Sequence, residues 1–203
     1  MAAAADCGAA GHADAVAATE EEAADAALRR GYAAAEAVCA ACSAADWPRA
    51  RELVAAARGL HLDWNVKTYG GSTPLTLAIK EGAPLDVVAA LVAAGVGVNR
   101  GGYGNFPPLS CAVFRKDVDN LAPLIRLLLD AGAAVPGDQR RPLLCSLVCA
   151  EVVDDLVGAG EPLEARDRIS GDTPLLISLG KRSSAMAAAL LAAGADAFAR
   201  DKY

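Results

Sequence analysis

Apolar residues along this chain fall into short runs that are repeatedly interrupted by proline and glycine. The clearest run, GGSTPLTLAIKEGAP, covers residues 70–84. In it, Thr73 is typical of a helix N-cap, Pro74 of the first helical position, and Gly82 of the residue just after a helix end. The pattern therefore predicts a helix of two turns, which is too short to be stable without neighbours.

The same pattern recurs at a nearly constant interval. The dipeptide Pro-Leu occurs at intervals of 34, 34 and 32 residues, with its prolines at Pro74, Pro108, Pro142 and Pro174. Each copy ends in an apolar pair, two further residues and a glycine, and these glycines are Gly95, Gly132, Gly160 and Gly194. Recurrence at this period predicts a stack of similar supersecondary units.

The positions around each proline share residue types between copies. The position four residues later is always small: Ala78, Ala112, Ser146 and Ser178. Apolar residues or cysteines occupy the positions one, three and five later: Leu75, Leu109, Leu143, Leu175, Leu77, Cys111, Cys145, Ile177, Ile79, Val113, Leu147 and Leu179. We expect close helix contacts at the small position and a core layer between copies at the apolar ones.

This recurrence resembles the ankyrin repeat family, whose repeat of about 33 residues carries the signature T-P-L-H-x-A. The second copy, GSTPLTLAIKEGAPLDVVAALVAAGVGVN, is closest to the signature. The first copy lacks Pro-Leu, as a capping repeat does. The signature histidine is replaced throughout, by Thr76, Ser110, Leu144 and Leu176. The resemblance implies an all-α, ankyrin-type repeat solenoid built from helix-turn-helix repeats with β-turn fingers.

The chain is expected to divide into two regions. Residues 1–31 are predicted to be an alanine-rich acidic leader that is partly disordered and contains a short helix. Residues 32–203 are predicted to be the ankyrin repeat domain. Its expected repeats are 33–66, 67–100, 101–136, 137–166 and 167–200, with the start of a further finger at 201–203.

Composition and charge narrow the function. Hydrophobic residues make up 54% of the 203 residues but aromatic residues only 4%, which suits small side chains between stacked helices. The net charge of −6 argues against nucleic-acid binding. The sequence shows neither a secretory signal nor a membrane-spanning run, so we expect no membrane partner and a cytoplasmic or nuclear location.

The six cysteines are predicted to be free thiols in a reducing compartment. Cys39 and Cys42 have half of a zinc-site spacing, but no second pair completes it, so no metal is expected. Cys145 and Cys149 stand one helical turn apart, and Cys145 shares its position with Cys111. All of these are interpreted as core residues, with Cys111 and Cys145 buried between the third and fourth repeats.

Material for catalysis is scarce. The histidines are His12 and His61, which stand in the leader and in a predicted loop. The glycine cluster at residues 101–104 does not follow a strand, so it is interpreted as a finger tip rather than a phosphate-binding loop. Asp154 and Asp155 are interpreted as solvated surface. We therefore expect no enzyme and no cofactor.

In the resembled fold, fingers and first helices form a concave binding face. Carried over to this chain, the expected partner-binding residues are Lys67, Tyr69, Ser72, Lys80, Glu81, Arg100, Tyr103, Phe106, Phe114, Arg115, Arg140, Arg168, Asp172 and Lys181. Most of the charged ones are basic, whereas Asp86, Asp130, Glu151, Asp154 and Asp155 fall on second helices. Basic tips can also be ordinary solubility residues, and Phe114 can alternatively belong to the core.

These positions lead to a functional hypothesis. The chain is expected to be a non-enzymatic protein–protein interaction scaffold or adaptor whose concave face binds a partner with an acidic segment. The aromatic residues point to the second and third repeats as the centre of that face. The alternative is a substrate-recognition or regulatory part of an enzyme system such as a ubiquitin ligase. The apolar residues of the fifth repeat also predict self-association through an uncapped C-terminal repeat.

Overall fold

The computed structural model describes residue 29 and residues 31–57, 64, 71–115, 120–137 and 141–200. Regular structure within these residues is helical, which confirms the all-α prediction for the part of the chain described. None of the described helices is long and apolar enough to cross a membrane. The expected leader, residues 1–31, lies outside the described residues except for positions 29 and 31.

Ten helices follow one another along the described residues. They are α1 (residues 31–43), α2 (Trp47–Ala57), α3 (Pro74–Lys80), α4 (Leu85–Ala93), α5 (Pro108–Val113), α6 (Leu121–Asp130), α7 (Leu143–Ser146), α8 (Val153–Gly158), α9 (Pro174–Gly180) and α10 (Ser184–Ala192). Short 3₁₀ segments cover Tyr103–Asn105 and Ala150–Val152.

The helices contact one another in two rows. In the first row α3 contacts α5, α5 contacts α7, and α7 contacts α9. In the second row α2 contacts α4, α4 contacts α6, and α6 contacts the 3₁₀ segment Ala150–Val152, which contacts α10. The pairs α3–α4, α5–α6 and α9–α10 join the rows, so each copy of the sequence pattern packs on its neighbours in the chain.

The threonine-proline pairs begin helices, as the sequence predicts. Thr73 is the N-cap of α3, and its hydroxyl oxygen accepts a hydrogen bond from the N–H of Thr76 at 3.3 Å. The Thr76 hydroxyl oxygen accepts in return from the Thr73 N–H at 2.9 Å. Thr76, which replaces the signature histidine, therefore completes a capping box. At the start of α9 the Thr173 hydroxyl oxygen accepts from the N–H of Leu176 at 3.4 Å, without a reciprocal bond. Pro74, Pro108 and Pro174 are first helical residues.

The fourth copy departs from the predicted helix. Pro142 is the N-cap of α7 rather than its first residue, and α7 ends at Ser146 because the backbone of Leu147 is extended. Cys149 is also extended, with φ −107° and ψ 112°. Cys145 and Cys149 are both buried, but the prediction that one helical turn separates them is wrong.

Most of the predicted core positions are buried, but Ser146, Cys111 and Leu179 are among those that are not. The leucines that follow the prolines are all buried, and so are Ala78, Ala112 and Ser178. By contrast, Leu179 is 56% exposed, since α9 is the last described helix of its row. Cys111, predicted to be buried, is only half-buried because it lines a surface cleft.

Hydrogen bonds also connect the loops of neighbouring copies. The Asn99 amide donates to the carbonyl oxygen of Gly132 at 3.0 Å and accepts from the N–H of Ala134 at 2.7 Å. Glu164 accepts from the N–H of Asp196 at 2.8 Å. Asn99 and Glu164 each stand four residues after a closing glycine, so the same position of the repeat twice provides a side chain that hydrogen-bonds to the backbone of the next copy.

Candidate partner-binding site

A cleft of about 470 Å³ opens between the C-terminal end of α3 and the two ends of α5. Its lining residues are Lys80, Glu81, Gly82, Phe106, Cys111, Phe114 and Arg115. Five of these belong to the predicted partner-binding set, although they come from two different copies of the repeat. The contact between α3 and α5 brings them together, because it places the end of one first helix beside the loop that starts the next.

Two phenylalanines form the aromatic wall of the cleft. The ring centroids of Phe106 and Phe114 are 5.8 Å apart and the rings are nearly perpendicular, at 87°. The side chains are 46% and 41% exposed, so Phe114 belongs to the surface rather than to the core. Gly104 adopts a φ of +74°, and a Cβ there would lie 3.0 Å from the Phe106 ring, so the turn needs glycine on both counts.

Charged side chains stand at the rim. The Lys80 Nζ is 3.9 Å from an Oε1 of Glu81, and both side chains reach solvent. A Cβ placed on Gly82 would lie 3.4 Å from Nη2 of Arg115, which shows that the guanidinium extends across this glycine towards the end of α3. Two cations and one carboxylate therefore surround the aromatic wall.

Cys111 contributes a neutral thiol to the cleft. Its Sγ lies 3.8 Å from the carbonyl oxygen of Phe106, to which it donates a weak hydrogen bond. Burial raises the pKa of Cys111, and the positive charge of Lys80 opposes that rise only in part. The thiol therefore stays protonated near neutral pH and acts as a small apolar surface.

Other predicted residues lie away from this cleft. Lys67, Tyr69 and Arg140 lie outside the described residues, as does the side chain of Tyr103. Arg100, Arg168 and Lys181 are exposed and Asp172 is half-buried, but none of them lines the cleft.

Ser72 and Lys181 interact with other parts of the chain. Ser72 is buried, so its side chain offers little surface to a partner. The Lys181 ammonium donates to the carbonyl oxygen of Cys145 at 3.3 Å and so ties α9 to the end of α7. In both cases the residue is engaged by its own fold.

Ion pairs between neighbouring second helices were not foreseen. Nε and Nη2 of Arg51 donate to the two carboxylate oxygens of Asp86 at 2.6 and 3.0 Å, and the hydrogen bond from Arg51 holds the pKa of Asp86 below its usual range. Arg126 donates to Asp155 at 2.9 Å. Asp154 is exposed as expected, but Asp155 is paired rather than simply solvated. The second helices therefore carry both signs of charge, and the predicted segregation of acids onto them is incomplete.

Two buried acids near α7 were also missed. Glu161 accepts from the N–H groups of Leu143 and Leu144 at 2.6 and 3.4 Å, and burial raises its pKa. Asp167 pairs with Arg141 at 2.9 Å. The sequence did hold one indication of Glu161: the fourth copy lacks the threonine that precedes proline in the second and fifth copies. Without that N-cap side chain, the N–H groups at the start of α7 need an acceptor from elsewhere in the chain.

The described cysteines offer no metal site. Burial raises the pKa of Cys39 to about 12 and that of Cys42 to about 11, so neither is a ready thiolate ligand. Burial, followed by the charges of Asp167 and Glu161, raises the pKa of Cys145 to about 12. Within the described part of the chain, no three side chains of the metal-binding types lie close enough to share an ion.

Similarity to known proteins does not assign a ligand to the cleft. The chain matches no protein-family model and no curated protein at a significant level. Its function must therefore follow from the cleft and from the helix rows that build it.

Proposed function

We propose that this chain is a non-enzymatic scaffold or adaptor that binds a partner protein through the surface formed by α3, α5 and their loops. The observation that carries the proposal is the cleft, where two half-exposed phenylalanines stand beside Lys80 and Arg115. Aromatic residues and arginine are the usual anchors of protein interfaces. The two rings pack on each other and still leave about half of each side chain exposed to solvent.

We further propose that the fold is an ankyrin-type repeat solenoid. Three features support it. The helices form two rows in which neighbours in the chain are neighbours in space, threonine-proline pairs start α3 and α9, and a glycine of positive φ follows each of α4, α6, α8 and α10. In such an arrangement the first helices and the preceding loops share one face, on which the cleft lies.

The chemistry of the cleft favours binding over catalysis. Its thiol has a raised pKa, and its carboxylate lies beside a lysine at the exposed rim. A nucleophile needs a lowered pKa or a base within hydrogen-bonding distance. The Cys111 thiol has a raised pKa and donates to a backbone carbonyl oxygen, which is not a base. The cysteines of the described segments form no disulfide, which supports the cytoplasmic or nuclear location proposed for the chain.

The proposal is tested by cross-linking in cells that express the full chain. A photo-reactive amino acid replaces Glu81 at the cleft rim or, as the control, Asp154 on α8, since both side chains are exposed. We expect a discrete cross-linked protein with the probe at Glu81 and none with the probe at Asp154. Equal cross-linking from both positions, or none from Glu81, would contradict the proposed binding surface.

Self-association through the last described copy is a second proposal. Leu179, Leu191 and Phe198 are exposed there, and Phe198 is 89% exposed. Sedimentation of the full chain over a wide concentration range should show a monomer–dimer equilibrium that replacement of Leu191 and Phe198 by serine weakens. A monomer at every concentration would refute it.

A further inference from the structure

The cleft has the size and the walls to hold a large apolar side chain. Its volume of about 470 Å³ lies within the range of small-ligand pockets and exceeds what a single side chain needs, so it also leaves room for adjoining backbone. Phe106 and Phe114 meet edge to face, and an aromatic ring or a leucine can pack against the surfaces that remain exposed. The neutral thiol of Cys111 extends this apolar surface.

The charges at the rim favour a ligand that carries a carboxylate near its apolar side chain. Lys80 and Arg115 provide two cations, and Glu81 is the one acid among the lining residues. A guanidinium binds a carboxylate through two parallel hydrogen bonds, and Lys80 can exchange its loose 3.9 Å contact with Glu81 for an incoming carboxylate. A polyanion such as a nucleic acid is disfavoured, because Glu81 and the net charge of −6 repel it.

We propose that this cleft binds a peptide segment in which a large apolar side chain is followed or preceded, within a few residues, by an aspartate or glutamate. The apolar side chain enters the cleft against Phe106 and Phe114, and the carboxylate pairs with Arg115 and Lys80. This inference rests on the proposed scaffold function and specifies the class of partner segment that the scaffold recognises.

Selection from a random peptide library displayed on phage tests the inference with the full chain as bait. The same library is passed over a double variant, Phe106→Ala with Phe114→Ala, which removes the aromatic wall. We expect enrichment, on the unmodified chain alone, of peptides that carry Phe, Trp or Leu within about three residues of an acid, the reach of an extended segment across the cleft. Enrichment of peptides without acids, equal enrichment by both baits, or no enrichment at all would overturn it.

Point variants then test the charges with one enriched peptide, synthesised with a fluorescent label. Arg115→Glu should weaken binding about tenfold or more. Arg182→Glu, the same change at the turn that follows α9, should leave binding unchanged. Glu81→Gln should strengthen binding about threefold, because it removes the competing carboxylate. A misfolded variant cannot bind more tightly, so this gain separates a role in binding from structural damage. Equal losses for Arg115→Glu and Arg182→Glu, or weaker binding by Glu81→Gln, would refute the proposed charge selection.

The failure of this inference can be told apart from the failure of the scaffold function. Suppose that a protein cross-links from Glu81 and binds the phenylalanine double variant as tightly as it binds the unmodified chain. That result leaves the scaffold function standing and overturns the peptide inference. Absence of any cross-linked protein, together with absence of enriched peptides, overturns both.

Discussion

Replacing Glu161 with alanine removes the acceptor for two buried N–H groups at the start of α7. Glu161 is 4% exposed, and Leu143 and Leu144 are also buried, so the N–H groups lie away from bulk solvent. The bond to the Leu143 N–H is short, at 2.6 Å, whereas the 3.4 Å bond to the Leu144 N–H contributes little. One buried donor left without a partner costs about 1–3 kcal/mol, which is the expected loss in the free energy of unfolding.

Glutamine at the same position should behave differently, and its effect should depend on pH. Its carbonyl oxygen keeps the acceptor but carries no charge to bury. Because burial raises the pKa of Glu161 in the folded protein, the stability that this group contributes is fully present below the unfolded pKa and is lost as pH rises through the folded pKa. Glu161→Gln lacks this loss, so its stability relative to the unmodified chain should increase as the pH rises above the unfolded pKa of about 4.3.

Urea unfolding followed by far-UV circular dichroism at several pH values measures both effects. Alanine should be clearly less stable than glutamine at every pH, and the difference between glutamine and the unmodified chain should change with pH in the direction given. If glutamine and alanine were equally destabilising, or if that difference stayed constant with pH, the capping role of a buried, charge-penalised Glu161 would be wrong.

Three further variants test other contacts. Gly102→Ala should lower stability by about 1–3 kcal/mol in thermal unfolding, because its Cβ would lie 2.6 Å from the Thr76 hydroxyl oxygen within the capping box; an unchanged midpoint would contradict this. A bulky thiol reagent at about pH 8 should label Cys111 before Cys145, whose pKa is about 12, and peptide mass spectrometry showing equal rates would refute it. Asn99→Ala should lower the free energy of unfolding in urea by about 1–2 kcal/mol, because it breaks two hydrogen bonds between copies. Asn99→Asp can still accept one of these bonds and should recover part of that loss; equal stability of the two variants would contradict this.

Sequence reasoning succeeded where the signal was local. Proline at the start of α3, α5 and α9 and glycine after their partner helices follow from steric rules that act within a few residues, so those boundaries were predictable. The start of α7 was not, because its acceptor, Glu161, lies 18 residues away from Leu143. The absence of an N-cap side chain indicates that another group must accept the hydrogen bonds at the helix start, but it does not identify that group.

The candidate site was predicted in part for a similar reason. The repeat register placed Lys80 and Arg115 on one face, and the cleft does bring them together. Register alone could not show that the Lys181 ammonium donates to the carbonyl oxygen of Cys145, since that hydrogen bond depends on the neighbouring copy. The Arg51–Asp86 pair joins residues 35 apart in the sequence. It could be predicted only by aligning the second helices of neighbouring copies and comparing equivalent positions.

The shortness of α7 has a consequence for how the molecule unfolds. In both rows the connection from the first copies to α9 and α10 runs through the fourth copy, by way of α7 in one row and Ala150–Val152 in the other. In a stack of repeats each unit is stabilised only by its neighbours, so the fourth copy is expected to couple the unfolding of the first copies to that of α9 and α10. Weakening it should split a single transition into two, and a ligand in the cleft would then raise the midpoint of the N-terminal unit while leaving that of α9 and α10 unchanged.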